Sequence, residues 1–173
     1  VVSYGIHTLI MNGDILVLRF IADATEVGYY SVANSMAALL LFVGNSVFSV
    51  VLPTSSTLSM SDGLQQLWRG VSFVGAICVA VIAIFWIEGE EIIKLLFSAR
   101  YLPGAPALKI LTVGMSFYSL MNVMSGYWIA HNRSYAYALV LACTLMSALA
   151  LYILLIPAYG ALGAAISFTG ATF

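Results

Sequence analysis

Long apolar runs, separated by short segments with charges and turn-forming residues, dominate the pattern of this sequence. The complete runs hold about 20 residues or more, enough for a helix to cross a hydrocarbon core of ~30 Å. Alternation of apolar and polar residues is absent, and residues 37–43 are apolar on every side, which favours helices over barrel strands. We therefore predict six apolar helices over residues 1–21, 29–52, 67–87, 104–130, 135–156 and 159–173, the last incomplete.

The composition places these helices in a membrane. Of 173 residues, 62% are hydrophobic and 8% are charged, whereas soluble domains carry about 25% charged residues. A net charge of −1 excludes the basic surface that nucleic-acid binding requires. The chain begins at Val1 rather than Met and ends at Phe173 within an apolar run, so we expect a fragment. The predicted fold is an all-α, multi-pass transmembrane helix bundle, with residues 1–173 forming a single lobe.

The segment between the third and fourth predicted helices has an amphipathic pattern of its own. Ile92, Ile93 and Leu96 group on one side, and Glu90 and Lys94 on the other. This pattern is typical of a short helix that lies in the membrane interface. We predict such an interfacial helix over residues 89–97.

The first predicted helix contains an aspartate close to the bilayer midplane. A carboxylate at that depth costs on the order of 3 kcal/mol on insertion scales, so Asp14 should face a protein interior or a wet cavity. At 100° per residue His7 shares the stripe of Asp14, whereas Asn12 and Arg19 lie on a second stripe. His7 is interpreted either as a titrating group or as a hydrogen-bonded packing residue. Arg19 is expected to extend toward the membrane surface.

Other helices carry small polar residues at helical spacing. Such residues allow close helix packing in membranes, but several polar faces in one bundle also predict a shared hydrophilic cavity where they meet. Both interpretations remain open from the sequence. The residues predicted to line a substrate cavity are Asp14, His7, Asn12, Asn34, Asn45, Ser119 and Asn122.

The sequence contains no recognisable catalytic motif. A nucleophile elbow, metal-ligand spacing, a P-loop and a glycine-rich dinucleotide motif are all missing. We therefore predict no catalytic residues, bound metal or cofactor, and the shared cavity favours a transporter over an enzyme.

Three stretches together resemble a known family. They are the run from Asp14 through EVGYY (26–30) to Ala33, the stretch LLFSARYLPGAPALKILTVG (95–114), and LIPAYGALGAA (155–165). In order and spacing they are similar to the carboxy-terminal half of the polysaccharide transporter family. These proteins are the Wzx-type O-antigen flippases of the multidrug/oligosaccharidyl-lipid/polysaccharide exporter superfamily.

The resemblance implies one lobe of a two-lobed bundle that works by alternating access. It implies a polyprenyl-diphosphate-linked oligosaccharide as substrate, carried across the bacterial inner membrane for O-antigen, capsule or exopolysaccharide assembly. Polysaccharide polymerase or export machinery and membrane lipids are the implied partners, and the coupling ion, H⁺ or Na⁺, stays open. It also places the 88–103 side in the periplasm, although the count of Lys and Arg near the helix ends favours the cytoplasm.

Several alternatives remain open from the sequence. Within the same superfamily they are a cation-coupled multidrug antiporter, which would use Asp14 for the ion, and a lipid II flippase. From another class comes a membrane-embedded glycosyltransferase or polymerase. That class requires a large extramembrane loop or acid and base residues in several helices, and the longest predicted loop, residues 88–103, is short for it.

Overall fold

The computed structural model describes the backbone of residues 2–173 and the side chains of residues 5–59 and 61–173. Val1, in the first predicted helix, lies outside the described residues. Every regular element in the described part is helical, which confirms the all-α prediction. The elements are α1 (Val2–Ile21), α2 (Ala24–Ala37), α3 (Leu39–Thr57), α4 (Met60–Leu96), a 3₁₀ helix (Ala99–Gly104), α5 (Ala105–Ala130) and α6 (Ser134–Thr172).

The long helix α6 reverses its direction at Gly160, so it forms two helices in space. Gly160 has φ +53° and ψ −128°, a conformation that residues with a Cβ rarely adopt. A Cβ on Gly163 would collide with the carbonyl of Leu155, and Gly170 faces the side chain of Leu151. In a straight helix these pairs would lie ~12 Å and ~28 Å apart. Residues 161–172 therefore fold back antiparallel onto residues 134–159, at the turn that the sequence predicts after residue 156.

Four segments are long and apolar enough to cross a membrane, where the sequence predicts about six helices. The predicted helix 135–156 and residues 159–172 of the last predicted helix both lie within the last of the four. The four segments, taken from the described residues, are Ala24–Thr57, Ser61–Leu96, Ala99–Ala130 and Ser134–Thr172.

Two helices begin earlier than predicted. α2 begins at Ala24 rather than at residue 29, and α4 begins at Met60 rather than at residue 67. The Ser59 side chain caps α4, because its Oγ accepts the backbone N–H of Asp62 at 3.3 Å. The predicted helix 29–52 is divided at Ala38, between α2 and α3.

Two exposed tryptophans on α4 are spaced as the two interfaces of a hydrocarbon core would be. Trp68 and Trp86 are 61% and 54% exposed. They are 18 positions apart, about 27 Å along a helix, which is close to the ~30 Å of a hydrocarbon core. Tryptophan is enriched at both membrane–water interfaces. We call the part of α4 from Trp68 to Trp86 the membrane frame.

The separate interfacial helix predicted over 89–97 is wrong as an element, because residues 89–96 are the last turns of α4. Gly89 does not interrupt the helix. It is buried against α5, where a Cβ on it would meet the Leu108 side chain at 3.6 Å. Packing against α5 therefore extends α4 beyond Trp86.

Helix α5 lies at the centre of the bundle and packs against α2, α3, α4 and α6. Small residues allow this close approach, as is usual between membrane helices. Gly44 of α3 faces the Ser119 backbone, and a Cβ on Gly114 would lie 2.9 Å from the Cα of Thr169. The polar faces of neighbouring helices therefore meet around α5.

Candidate functional site

The inward face of α1 buries Asp14. Ile10, Asp14 and Leu18 recur every four residues and each is fully buried, because this face packs against α6 and α2. The prediction that Asp14 faces a protein interior is confirmed. Its carboxylate accepts two hydrogen bonds, one from the Tyr30 hydroxyl of α2 and one from the backbone N–H of Ile15 at 2.7 Å.

A second buried tyrosine lies beside this aspartate. Tyr152 of α6 is fully buried, and its ring packs against α1 next to Asp14, where a Cβ on Gly13 would meet the Tyr152 Cε2 at 3.7 Å. Its hydroxyl has no hydrogen-bond partner among the described residues. We call Asp14, Tyr30 and Tyr152 the acid cluster. It joins three helices and leaves one buried hydroxyl able to bind another group.

A second layer of polar contacts lies two turns along α1. His7 is half-buried, and its Nδ1 lies 2.6 Å from the Tyr118 hydroxyl of α5. On the next residue of α5, the Ser119 hydroxyl donates to the Leu40 carbonyl of α3 at 3.0 Å. His7 is seven positions from Asp14, about 10 Å along the helix. This layer therefore lies on one side of the acid cluster and connects α1, α3 and α5.

A third layer joins two of the predicted asparagines. The Asn122 side-chain amide of α5 donates to the Asn45 Oδ1 of α3 at 2.5 Å. Asn122 is buried, whereas Asn45 is exposed at the surface of the bundle. Ser119 and Asn122 lie one turn apart on α5, so this layer continues the line of polar groups from Asp14 through His7.

The two other predicted residues differ from each other. Asn34 lies one turn beyond Tyr30 on α2, and its Oδ1 is buried without a hydrogen-bond partner in the described structure. Asn12 is exposed and donates to the Thr8 carbonyl of its own helix at 3.0 Å. It is two positions from Asp14, on nearly the opposite face of α1. The structure thus brings Asn34 close to the acid-cluster face and separates Asn12 from it.

Most buried Ser and Thr hydroxyls among the described residues donate to their own helices. Thr112 donates to the Leu108 carbonyl at 2.6 Å, Ser116 to the Thr112 carbonyl at 2.7 Å, and Ser167 to the Gly163 carbonyl at 2.7 Å. These hydroxyls have used their protons, and only their lone pairs remain available.

Sequence reasoning missed how the EVGYY segment connects the molecule. The Glu26 carboxylate accepts the Ala161 N–H at 2.9 Å, at the start of helix 161–172, where a negative charge is favourable. A Cβ on Gly104 would lie 2.7 Å from the Tyr29 carbonyl, and Tyr30 donates to Asp14. The segment therefore contacts α1, the 3₁₀ helix and α6. Asp14 on α1 and Tyr30 on α2 lie at similar distances from the turn that joins the two helices, and this spacing could have predicted their contact.

The described residues contain no group of three or more His, Cys, Asp or Glu side chains that could hold a metal ion. The polar groups of the site are a buried carboxylate, tyrosine hydroxyls, an imidazole and amides.

Comparison with known proteins shows which family the sequence matches. Residues 1–106 match the family described as polysaccharide biosynthesis protein. This match covers more than half of the chain and includes Asp14, Glu26 and Tyr30. The chain is also 30% identical, over 183 aligned residues, to an uncharacterized membrane protein of Methanocaldococcus jannaschii. That alignment covers 95% of this chain and 35% of the relative, so the chain spans about a third of the relative's length.

No solved structure shows significant similarity to the chain. The family match and the apolar helices agree on the class of protein. The chain is a multi-pass membrane protein, and it belongs to the polysaccharide biosynthesis protein family.

Proposed function

We propose that this chain forms one lobe of a flippase that moves a polyprenyl-diphosphate-linked oligosaccharide across the cytoplasmic membrane for cell-surface polysaccharide assembly. The protein acts as a transporter and not as an enzyme. One observation carries the proposal: a line of polar groups, from Asp14 through His7 to Asn122, runs inside a bundle whose outer surface is apolar. Membership of the polysaccharide biosynthesis family supports the substrate class.

Movement of an oligosaccharide across a membrane requires such a line of polar groups. Sugar hydroxyls cannot cross hydrocarbon without hydrogen-bond partners, since each unsatisfied polar group costs several kcal/mol there. Asn45 is exposed although it lies on a membrane helix, and its Oδ1 already accepts from Asn122. An exposed amide of this kind suits a surface that faces a second lobe and a polar substrate. The lipid tail can remain in the bilayer while the oligosaccharide passes between the lobes.

The test of this proposal is to replace the carboxylate of Asp14 with an amide. The full-length protein would be reconstituted in liposomes with a fluorescent polyprenyl-diphosphate oligosaccharide, and flipping would be followed by a membrane-impermeant quencher. We expect D14N to slow flipping about tenfold or more, equivalent to ~1.4 kcal/mol or more in the barrier. The asparagine Oδ1 can still accept from Tyr30, but its Nδ2 cannot accept the Ile15 N–H, so the thermal stability of D14N is measured beside its flipping rate.

The matched control is D23N, because Asp23 is an exposed acid that makes no capping hydrogen bond through its side chain. It should flip at the wild-type rate. A wild-type rate for D14N at normal protein level would contradict the proposal. Transport of cationic drugs, without flipping of the oligosaccharide, would favour the multidrug antiporter instead.

A further inference from the structure

An open groove lies between α3 and α4, and it reaches Ser46, the residue that follows Asn45 on α3. It has a volume of about 310 Å³, at the lower end of the range for small-ligand sites. Its walls are apolar and are formed by Val47, Val50, Val51 and Phe73. Arg69 lines the same groove, so one cationic side chain borders an apolar surface.

The groove begins at the edge of the membrane frame. Arg69 follows Trp68 directly, and Trp68 marks one interface. From Gln66 to Phe73 the groove extends about 10 Å along α4, from the interface into the hydrocarbon region. At the outer end the Gln66 amide donates to Thr54 of α3 at 2.8 Å, which fixes the two helices at this level.

The charge at this groove is uncompensated. Arg69 is exposed and makes no ion pair with any described residue. Among the described residues that line the groove, none is acidic. A guanidinium at the headgroup level attracts anionic lipids, and its planar donors match the two free oxygens of a phosphate group.

We propose that this groove binds one anionic glycerophospholipid, with the phosphate on Arg69 and an acyl chain along Val50 and Phe73. One guanidinium complements the single charge of a phosphodiester and leaves half of a diphosphate unpaired. This favours a membrane phospholipid over the polyprenyl-diphosphate carrier. None of the residues predicted to line the substrate cavity lines this groove.

The test is native mass spectrometry of the full-length protein in mild detergent. Equal amounts of phosphatidylglycerol and phosphatidylcholine with identical acyl chains would be added as probes. We expect wild type to retain phosphatidylglycerol preferentially, and R69Q to lower that preference about fivefold. R69K should keep most of the preference. V50W, which fills the groove at an exposed position, should lower retention of both lipids.

The matched control is R133Q, because Arg133 is an exposed cation in the turn between α5 and α6, on the same side of the membrane frame as Arg69. Its lipid retention should equal that of wild type. Equal losses in R69Q and R133Q would overturn the proposal, because they would indicate attraction to surface charge alone. Unchanged retention in V50W, displacement of the lipid by inorganic phosphate, or preferential retention of a polyprenyl phosphate would each overturn it too.

Discussion

Two fully buried tyrosines beside Asp14 have opposite hydrogen-bonding states. Tyr30 donates to the carboxylate, whereas the Tyr152 hydroxyl has no partner among the described residues. Removing a hydroxyl that satisfies a buried carboxylate is costly, while removing an unsatisfied hydroxyl is nearly neutral. The same substitution at the two positions should therefore have different effects on stability.

We expect Y30F to destabilise the protein by about 1–3 kcal/mol, because one carboxylate oxygen of Asp14 loses its donor. Y152F should change stability by less than about 0.5 kcal/mol. Thermal unfolding of the full-length protein in detergent measures both, and Y152F serves as the control for Y30F. Equal destabilisation by the two variants would contradict this assignment of the hydrogen bonds.

At this scale the sequence predicts which residues are buried better than it predicts their partners. The insertion cost of a carboxylate is enough to predict that Asp14 faces inward. To predict Tyr30 as the partner of Asp14, one must know how two antiparallel helices, joined at residues 22–23, align in depth. Periodicity within one helix does not give this alignment. The contact of His7 with Tyr118, 111 positions away, depends on the complete packing of the bundle.

Among the helices, the reversal at Gly160 depends on two features. The φ of +53° favours glycine, and a Cβ on Gly160 would lie 2.5 Å from Glu26 Oε2. The Glu26 carboxylate in turn caps helix 161–172 through Ala161. A side chain on Gly160 would therefore strain the backbone and displace the cap together.

We expect G160A to destabilise the full-length protein by about 1–3 kcal/mol, since backbone strain of this kind costs that much. The control is G75A on α4, where a Cβ would meet nothing within 4 Å. G75A should stabilise the protein by about 0.5–1 kcal/mol through helix propensity. Thermal unfolding in detergent compares the two, and a neutral G160A would refute the described turn.

Helix boundaries were less predictable than helix positions, for reasons visible at particular residues. Glu26 reads as a loop charge in the sequence, but it lies in the first turn of α2 and caps another helix. Ser59 reads as part of a polar loop, but it caps α4. Gly89 follows a charged residue and suggests a break, but packing against Leu108 continues the helix. In each case a contact elsewhere in the chain decides the boundary.

For the whole molecule, the spacing of Trp68 and Trp86 gives the position of the bilayer along α4. The helix has 37 residues, about 55 Å, and both of its ends extend beyond a ~30 Å core. The two ends must then lie on opposite sides of the membrane.

Cysteine labelling of the full-length protein in intact cells tests this frame. After every native cysteine, Cys78 and Cys143 included, is replaced, single cysteines would be placed at Ser61, Val79 and Glu90, all exposed on α4. A membrane-impermeant maleimide should label positions 61 and 90 from opposite sides and leave position 79 unlabelled. Labelling of 61 and 90 from the same side, or ready labelling of 79, would contradict the frame.

The Ser and Thr hydroxyls that donate to their own helices limit the kind of ligand that the bundle can bind. Their protons are committed, and the Asn34 Oδ1 adds another buried acceptor. The described interior thus contains more hydrogen-bond acceptors than free donors, which favours a ligand rich in donors. A carbohydrate carries a donor at nearly every carbon, whereas a diphosphate brings only further lone pairs. On the proposed function, the hydroxyl-rich oligosaccharide would therefore find acceptors on this lobe, whereas the diphosphate would find few free donors among its buried Ser and Thr hydroxyls.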